Sequence, residues 1–384
     1  MSAMAKSSAG SPTVFFHIGP PKTGTTYLQD LLRHWRRELR EVGVLYPGIP
    51  QFNHFSAALD VRGDHGFGIG AGHDVPRIIA AGAWPRLLKK TRSFPGTVVI
   101  SHEIFATADD EHARCAIEDL RGTDLHLIVT ARDPARQLVS SWQETIKHGN
   151  TRPFRVVARK TVARDNLAPP QQIPQLLERW GSTLAPDHVH VVTVPPAGSD
   201  PALLWERFTS VIGVDAARFD PLQVRRSNES LGVAEIELLR RVNLALAGRL
   251  PHPEYGAVAT TLFANGILGQ LSRSSKPVLP QQLRAAAERL GDDWIEQIEL
   301  RNYSVSGDLD DLRPHHRDGA RPQAASQEDI AEVAAQATAE LLLEIAQLRK
   351  PSAVARVSMR QAASRTVYAA LDAGRRVKRL GRSS

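Results

Sequence analysis

Residues 14–32 have the sequence VFFHIGPPKTGTTYLQDLL, and this stretch decides the fold. The apolar, aromatic-rich run at 14–18 ends in Gly-Pro-Pro, which is typical of a buried parallel strand. After Gly24, leucines recur at i, i+3 and i+4 spacing and predict an amphipathic helix. A glycine loop that joins a strand to a helix is the setting of a phosphate-binding loop. The stretch therefore predicts a nucleotide-type anion site at one edge of a sheet.

The same alternation of strand and helix continues along the chain. Further strands are predicted at 97–101 (TVVIS), 125–131 (LHLIVTA) and 188–194 (HVHVVTV), with helical patterns between them. Strands alternating with helices favour a parallel sheet covered on both faces. We therefore expect an α/β fold of the P-loop nucleotide-triphosphatase-like type, with a helical C-terminal extension.

Composition suggests how the 384 residues divide. We expect a disordered N-terminus at 1–12, a catalytic domain at 13–312, a linker at 313–327 and a helical, basic extension at 328–384. Within the main domain, the stretch 46–96 is rich in Gly, Pro and His and is predicted to be a long insertion over the sheet edge.

The net charge of +7 is concentrated near the C-terminus. Residues 350–384 hold nine Lys and Arg but one acidic residue, so the rest of the chain is close to neutral. A near-neutral body argues against a nucleic-acid groove, whereas the basic tail is compatible with peripheral contact to anionic lipid. The single cysteine, Cys115, excludes an internal disulfide, and no signal peptide or membrane span is evident. We therefore predict a cytoplasmic protein.

The loop departs from the triphosphatase pattern in one respect. Gly19 and Gly24 have the P-loop spacing, yet Thr25 stands where the lysine of that motif belongs, and the lysine is Lys22, inside the loop. The strand at 125–131 is followed by Arg132, where a kinase or GTPase needs a metal-binding acid. We therefore expect an anion site without a metal ion. Because a sulfuryl group carries less charge than a phosphoryl group, the altered loop suits sulfuryl transfer better.

A second motif lies in LIVTARDPARQLVSSWQETI (127–146). Arg132 emerges at the carboxyl end of a strand, Asp133 can cap the next helix, and Pro134 takes its first position. Ser140 lies about two turns into that helix. Because ligands bind at the carboxyl ends of parallel strands, Arg132 and Ser140 are candidates to bind a second phosphate near the first loop.

Together the two motifs resemble the sulfotransferase family, which uses 3′-phosphoadenosine 5′-phosphosulfate as the sulfate donor. The resemblance is strong over about 14–45 and 125–148 and thin elsewhere. It implies that the PKTGTT loop grips the 5′-phosphosulfate and that an Arg and a Ser of the second motif grip the 3′-phosphate. It also implies that Lys22 stabilises the charge that develops on the oxygen bridging phosphate and sulfate. The implied nucleotide-binding residues are Lys22, Thr23, Gly24, Thr25, Thr26, Arg132 and Ser140.

A general base must take the proton of the acceptor. We favour Glu103, which follows the strand at 97–101, with His54 as the second candidate because some relatives use histidines in the loop after the first helix. Late basic residues reach the nucleotide in relatives, which makes Arg225, or its neighbour Arg226, a further candidate. This chain lacks the Arg-Lys-Gly form found in cytosolic members.

Two other functions stay open at the level of sequence. A P-loop kinase or nucleotide hydrolase would need a lysine at position 25 and an acid at the strand end. A non-catalytic nucleotide-binding scaffold would keep the loop and lack the base. The sequence does not identify the acceptor, which we expect to be a small molecule, a glycan or a lipid.

Overall fold

The structure is a computed structural model. It describes residues 11–48, 54–63, 80–162, 172–224, 230–251, 254–315 and 325–348. The basic tail, most of the predicted N-terminal segment and most of the predicted linker therefore lie outside the described residues.

A six-stranded sheet forms the centre of the protein, and all of its pairings are parallel. The strand order is β2-β3-β1-β4-β5-β6. The strands are β1 (Thr13–His17), β2 (Val44–Leu45), β3 (Thr97–Ser101), β4 (Asp124–Ala131), β5 (Val189–Thr193) and β6 (Ser304–Ser306). The predicted α/β class with a parallel sheet is confirmed.

Helices connect the strands. They are α1 (Thr25–His34), α2 (Arg36–Glu41), α3 (His54–Val61), α4 (Ala83–Arg92), α5 (Asp110–Glu118), α6 (Pro134–Lys147), α7 (Phe154–Val162), α8 (Ile173–Gly181), α9 (Leu203–Val211), α10 (Val233–Leu246), α11 (Arg284–Leu300) and α12 (Gln327–Leu348). A 3₁₀-helix covers Glu103–Thr107, and a π-helix covers Tyr255–Leu268. The helical C-terminal segment that the sequence predicts is present as α12.

The strands are apolar on both faces, and each face packs into its own core. Phe16 and Ile100 lie in one apolar cluster with Trp180. Phe15 and Val99, their neighbours in sequence, lie in the other with Trp205. Because successive strand residues point to opposite faces, this division explains why the central strands are continuously hydrophobic.

The strand order brings three carboxyl ends together. β1 lies between β3 and β4, with His17 aligned with Ser101 on one side and Ile128 on the other. After β1 the chain continues to β2 and β3 on one side of β1, and it then crosses β1 to form β4, β5 and β6 on the other side. The strand order therefore reverses at β1. In open α/β sheets this edge is where ligands bind.

The insertion at 46–96 contains more regular structure than the sequence analysis predicted. Its described parts include α3 and α4, whose Ala58, Trp84 and Leu88 belong to the apolar core. The abundance of Gly, Pro and His concealed the short helical patterns. The strands β2 and β6 were also missed, because two or three residues give no alternation to detect.

The chain divides into two compact units, Met1–Ile330 and Ala331–Ser384. The sheet belongs to the first unit, and the described part of the second is the remainder of α12. Among the described helices, none combines the length and the apolarity that crossing a membrane requires.

Candidate active site

The loop between β1 and α1 has a tightly constrained backbone. Gly24 precedes α1 with φ of 86°, a left-handed conformation that favours glycine. A Cβ at Gly24 would lie 2.5 Å from Leu204 Cδ2, and one at Gly19 would lie 2.0 Å from Thr130 Oγ1. Gly19 is therefore required by close packing, and Gly24 chiefly by its left-handed conformation.

Lys22 also has a positive φ, of 74°. A residue with a Cβ pays a conformational cost in this region, and such residues concentrate at functional sites. The Lys22 carbonyl lies beside Arg132, and the Lys22 side chain lies beside Glu144 of α6.

The N-terminus of α1 is suited to an anion. Gly24 has no side chain that could cap the helix, and the first turn contains no acidic residue. The first N–H groups of a helix have no acceptor within it, and the helix dipole adds partial positive charge there. Thr26 is exposed in this turn, whereas Thr23 and Thr25 are buried. Thr23 and Thr25 can therefore serve an anion through their backbone rather than through their hydroxyls.

Buried polar side chains support this loop from below. Thr23 Oγ1 donates to the carbonyl of Pro20 at 2.7 Å and lies 2.6 Å from Thr130 Oγ1. Thr130 Oγ1 lies 3.2 Å from His17 Nε2, and His17 Nδ1 lies 2.8 Å from Ser101 Oγ.

The hydrogen bond from Thr23 to the Pro20 carbonyl fixes which group donates at each step of this network. Because the Thr23 hydroxyl proton is directed to a carbonyl, Thr130 must donate to Thr23, and His17 Nε2–H must donate to Thr130. When the imidazole is neutral, its Nδ1 accepts from Ser101 Oγ. Burial first, and the charge of His102 second, lower the pKa of His17 to about 3, in agreement with this neutral form.

Gln29 extends the same network to Glu103. The Gln29 amide, buried on α1, donates to Ser101 Oγ at 3.4 Å and to Glu103 Oε2 at 3.2 Å. The Glu103 side chain is 27% exposed to solvent. The candidate base is therefore held by α1 and connected through hydrogen bonds to the glycine loop, while it stays accessible to a substrate.

Arg132 joins the two sequence motifs. Its Nη1 donates to the carbonyl of Lys22 and to Ser140 Oγ, at 3.1 Å in each case. Its Nε is buried and has no hydrogen-bond partner among the described residues. Burial first, and the charge of Arg136 second, lower the pKa of Arg132 to about 10, so the guanidinium stays charged at neutral pH.

The elements around Arg132 agree with the sequence prediction. Pro134 is the first residue of α6, and Asp133 caps the helix by accepting from Arg136 N at 2.8 Å. Ser140 follows two turns later on the same helix. Arg132 and Ser140, the predicted 3′-phosphate pair, are thus brought into direct contact with each other and with the loop.

Sequence analysis missed Glu144, which forms an ion pair with Lys22 at 2.5 Å. Although burial alone raises the pKa of Glu144, hydrogen bonds from His148 and Lys22 and the charge of Lys147 outweigh it and hold this pKa below its ordinary value. Glu144 lies four residues after Ser140, on the same face of α6. That spacing is the feature of the sequence that could have identified Glu144 as a residue of the site.

Lys147 adds a further positive charge to this face of α6. It is almost fully buried, and its Nζ donates to Asn265 Oδ1 on the π-helix at 2.9 Å. Burial first, and the charge of Lys22 second, lower its pKa to about 8. Lys22 and Lys147 both act on the single Glu144 carboxylate, so this face of α6 carries more positive than negative charge and suits an anion.

His54 is buried, and both of its ring nitrogens contact backbone groups. Nδ1 accepts from Ser101 N at 3.0 Å, and Nε2 contacts the carbonyl oxygen of Pro47. Burial lowers the pKa of His54 to about 4. This geometry ties α3 to the end of β3 and makes His54 a weaker candidate for the base than Glu103. Arg225 and its alternative Arg226, the remaining predicted residues, lie outside the described residues.

Comparisons with known proteins give little further information. No family model matches the chain, and no curated protein does. Among solved structures, a sulfotransferase from Alicyclobacillus acidocaldarius is similar to this chain at a TM-score of 0.38, with 15% identity over 62% of this chain and 95% of that one. A likeness this distant carries no weight for function, so a functional conclusion depends on the site itself.

Proposed function

We propose that the protein is a sulfotransferase that moves a sulfuryl group from 3′-phosphoadenosine 5′-phosphosulfate to a hydroxyl or amine. The observation that carries the proposal is the position of Arg132, which contacts both the Lys22 carbonyl and the Ser140 hydroxyl. A loop for one phosphate and a guanidinium for a second are thereby parts of one site. The donor nucleotide carries phosphate at both its 5′ and 3′ positions, which matches this pair.

The residues also fit the chemistry of the donor nucleotide. Arg132 has a buried Nε–H without a partner, and an anion could accept from it. The uncapped start of α1 offers backbone N–H groups to the 5′-phosphosulfate. When it is bound, the donor supplies a sulfur atom open to attack and a leaving group whose charge grows on the bridging oxygen.

Lys22 stabilises that growing charge. Without nucleotide, the ion pair with Glu144 keeps the Lys22 ammonium group oriented toward the site. When the nucleotide binds, the ammonium group leaves Glu144 and contacts the bridging oxygen. In comparable oxyanion sites, one hydrogen-bond donor directed at charge that develops in the transition state lowers the activation free energy by about 3 to 4 kcal/mol.

Glu103 removes the proton of the acceptor. Gln29 fixes one of its carboxylate oxygens, which leaves the other to accept from the substrate. Glu144 is the other carboxylate near the loop, but Lys22 and His148 lower its pKa and make it a weaker base. General-base assistance of this kind contributes typically 10² to 10⁴ in rate.

The residues at the lysine position and at the strand end do not favour a P-loop kinase or nucleotide hydrolase. Thr25 is buried where the triphosphatase lysine belongs, and Arg132 stands at the end of β4 where a metal-binding acid is needed. A non-catalytic nucleotide-binding scaffold has the same anion site, so the two remaining proposals differ only in Glu103.

The decisive experiment incubates the protein with radiolabelled donor and a panel of small-molecule, glycan and lipid acceptors, with and without EDTA. We expect transfer that does not depend on magnesium, that falls at least 10²-fold in Lys22→Ala, and that is lost in Glu103→Gln while the nucleotide still binds. Nucleotide binding without transfer to any acceptor would favour the scaffold. Transfer of phosphate from ATP with magnesium would favour the kinase.

A further inference from the structure

Helix α12 has an exposed face of small and apolar residues. Five exposed residues recur along it at alternating intervals of four and three positions: Ala331, Ala335, Thr338, Leu342 and Ile345. The Leu342 side chain is 62% exposed, and that of Ile345 is 40% exposed. Ala337 is buried, so this face is distinct from the side that α12 buries. A stripe with this spacing is the kind of surface that a second helix covers.

The sequence after α12 predicts a helix of matching length. Pro351 cannot continue α12, Ser352 is a suitable N-cap, and Gly374 is a typical residue just past a helix C-terminus. The stretch between these signals, 353–373, has 21 residues, against 22 in α12. We refer to 353–373, which lies outside the described residues, as the C-terminal segment.

The C-terminal segment has an apolar stripe of its own. Positions 354, 357, 361, 364, 368 and 371 alternate at intervals of three and four, and four of them hold Val354, Val357, Tyr368 and Leu371. Only 349–353 separate Leu348, the last residue of α12, from Val354. Two helices joined by so short a loop run antiparallel, so the stripe of the second is placed to face the first.

The two stripes also match in register. In an antiparallel hairpin, residues at equal distances from the turn lie side by side. Three such pairs, at six, thirteen and twenty residues from Pro351, are Ile345 with Val357, Thr338 with Ser364, and Ala331 with Leu371. Apolar side chains therefore meet each other, the two hydroxyl residues meet, and the largest of these side chains meets an alanine. Interdigitation of large and small residues is what close helix packing requires.

The charges of the two segments are complementary. From 331 to 348, α12 holds Glu332, Glu340 and Glu344 and contains no Lys or Arg, whereas 353–379 holds seven Lys and Arg against one acid. Arg360, nine residues after Pro351, falls opposite the interval between Glu340 and Glu344, which stand eleven and seven residues before it. A second copy of α12 would bring like charges together, and an anionic membrane would repel the same glutamates. The charge pattern therefore favours the basic segment as the partner of this face.

We propose that the C-terminal segment folds back as a helix onto the exposed face of α12 in the same chain and forms an antiparallel helical hairpin with it. The contact removes Leu342 and Ile345 from water and places Arg360 between two carboxylates. The basic residues of the segment are then part of the folded protein instead of a free arm for lipid.

Disulfide formation in the full chain tests this proposal, with Cys115→Ser removing the natural thiol. Thr338→Cys with Ser364→Cys places two thiols across the proposed contact. Thr338→Cys with Thr366→Cys is the matched control, because Thr366 is nearly as far along the chain but lies on the opposite side of the second helix. Under mild oxidation in dilute solution, we expect the first pair to close within one chain at least about tenfold faster than the control pair.

Charge reversal provides a second measurement. Arg360→Glu adds a negative charge beside Glu340 and Glu344, so closure of the pair at 338 and 364 should slow by roughly two- to fivefold. Arg382→Glu changes the net charge equally but lies beyond the proposed helix, and it should leave the rate unchanged.

Three results would overturn the proposal. Equal closure rates for the two cysteine pairs would show that the segment does not dock on α12. Disulfide-linked dimers as the main product would assign the exposed face to a second copy of the chain. Binding to phosphatidylserine vesicles together with equal closure rates would assign the segment to a membrane surface.

Discussion

Lys22 of the glycine loop and Glu144 of α6 form an ion pair with 2.5 Å between Nζ and Oε2. Arg132 forms a second link between the same two elements, because it donates to both the Lys22 carbonyl and Ser140 Oγ of α6. The lysine that is displaced within the loop therefore has a defined partner. Under the proposed function, that partner is a carboxylate that the bound nucleotide replaces.

Glu144→Gln should strengthen nucleotide binding. The substitution removes a negative charge beside an anion site and releases Lys22. Because both side chains are about one-third exposed, we expect a gain of roughly two- to fivefold in affinity for adenosine 3′,5′-bisphosphate, measured by calorimetry. Glu178→Gln, which breaks an exposed pair with Arg301, is the control for net charge. Weaker binding by Glu144→Gln would show instead that the ion pair holds Lys22 in its binding position.

Arg132→Ala should discriminate between nucleotides. Loss of a charge-assisted contact to the 3′-phosphate should weaken adenosine 3′,5′-bisphosphate by about 10- to 100-fold and adenosine 5′-monophosphate much less. Arg132→Lys keeps the charge but loses the fork of donors, so we expect an intermediate loss. Equal losses for the two nucleotides would place Arg132 away from the 3′-phosphate.

Gln29→Leu should lower turnover without weakening the donor nucleotide. Gln29 holds Glu103 through the 3.2 Å hydrogen bond, so we expect kcat to fall about tenfold while the KM for the donor stays constant. In a Glu103→Gln background the same substitution should have little further effect, because the group that it positions is already absent. Additive losses in the double variant would mean that Gln29 acts independently of Glu103.

The buried histidines should make stability depend on pH. Burial lowers the pKa of His17 to about 3 and that of His54 to about 4, against about 6.5 in the unfolded chain. Below pH 6.5 the unfolded chain binds protons that the folded chain excludes, so stability is complete above this pH and falls as the pH drops toward 4.

Each of these histidines should contribute about 1.4 kcal/mol per pH unit to that slope. Urea unfolding at several pH values between 4.5 and 6 measures it. His54→Asn keeps an acceptor for Ser101 N and should reduce the slope by one histidine's share. His112→Gln, at an exposed position, should leave the slope unchanged. A slope that His54→Asn does not alter would contradict the burial of a neutral His54.

The main elements of the sheet were predictable because their patterns are long. Phe15 and Phe16 lie in a continuous apolar run, and the strand and helix that flank Arg132 have clear boundaries at Ala131 and Pro134. The order of the strands was not predictable, because pairing depends on contacts far apart in sequence. The short strand Val44–Leu45 shows the same limit.

The site was predictable where motifs specify it and not where tertiary contacts do. Spacing alone suggested that Arg132 and Ser140 are neighbours. It did not show that the hydroxyls of Thr23 and Thr25 are turned into the protein. That orientation follows from the hydrogen bonds of Thr23 with Thr130 and of Thr25 with the Gly19 carbonyl. The Glu144 partner of Lys22 was equally hidden, because the two residues are more than 100 positions apart in sequence.

Calorimetric titration of the protein with adenosine 3′,5′-bisphosphate in EDTA tests the central claim most directly. One nucleotide should bind per chain with an affinity that magnesium does not change, and adenosine 5′-monophosphate should bind at least tenfold more weakly because Arg132 loses its phosphate. Absence of binding, or binding that requires magnesium, would contradict the assignment of this cleft to a sulfate-donor nucleotide.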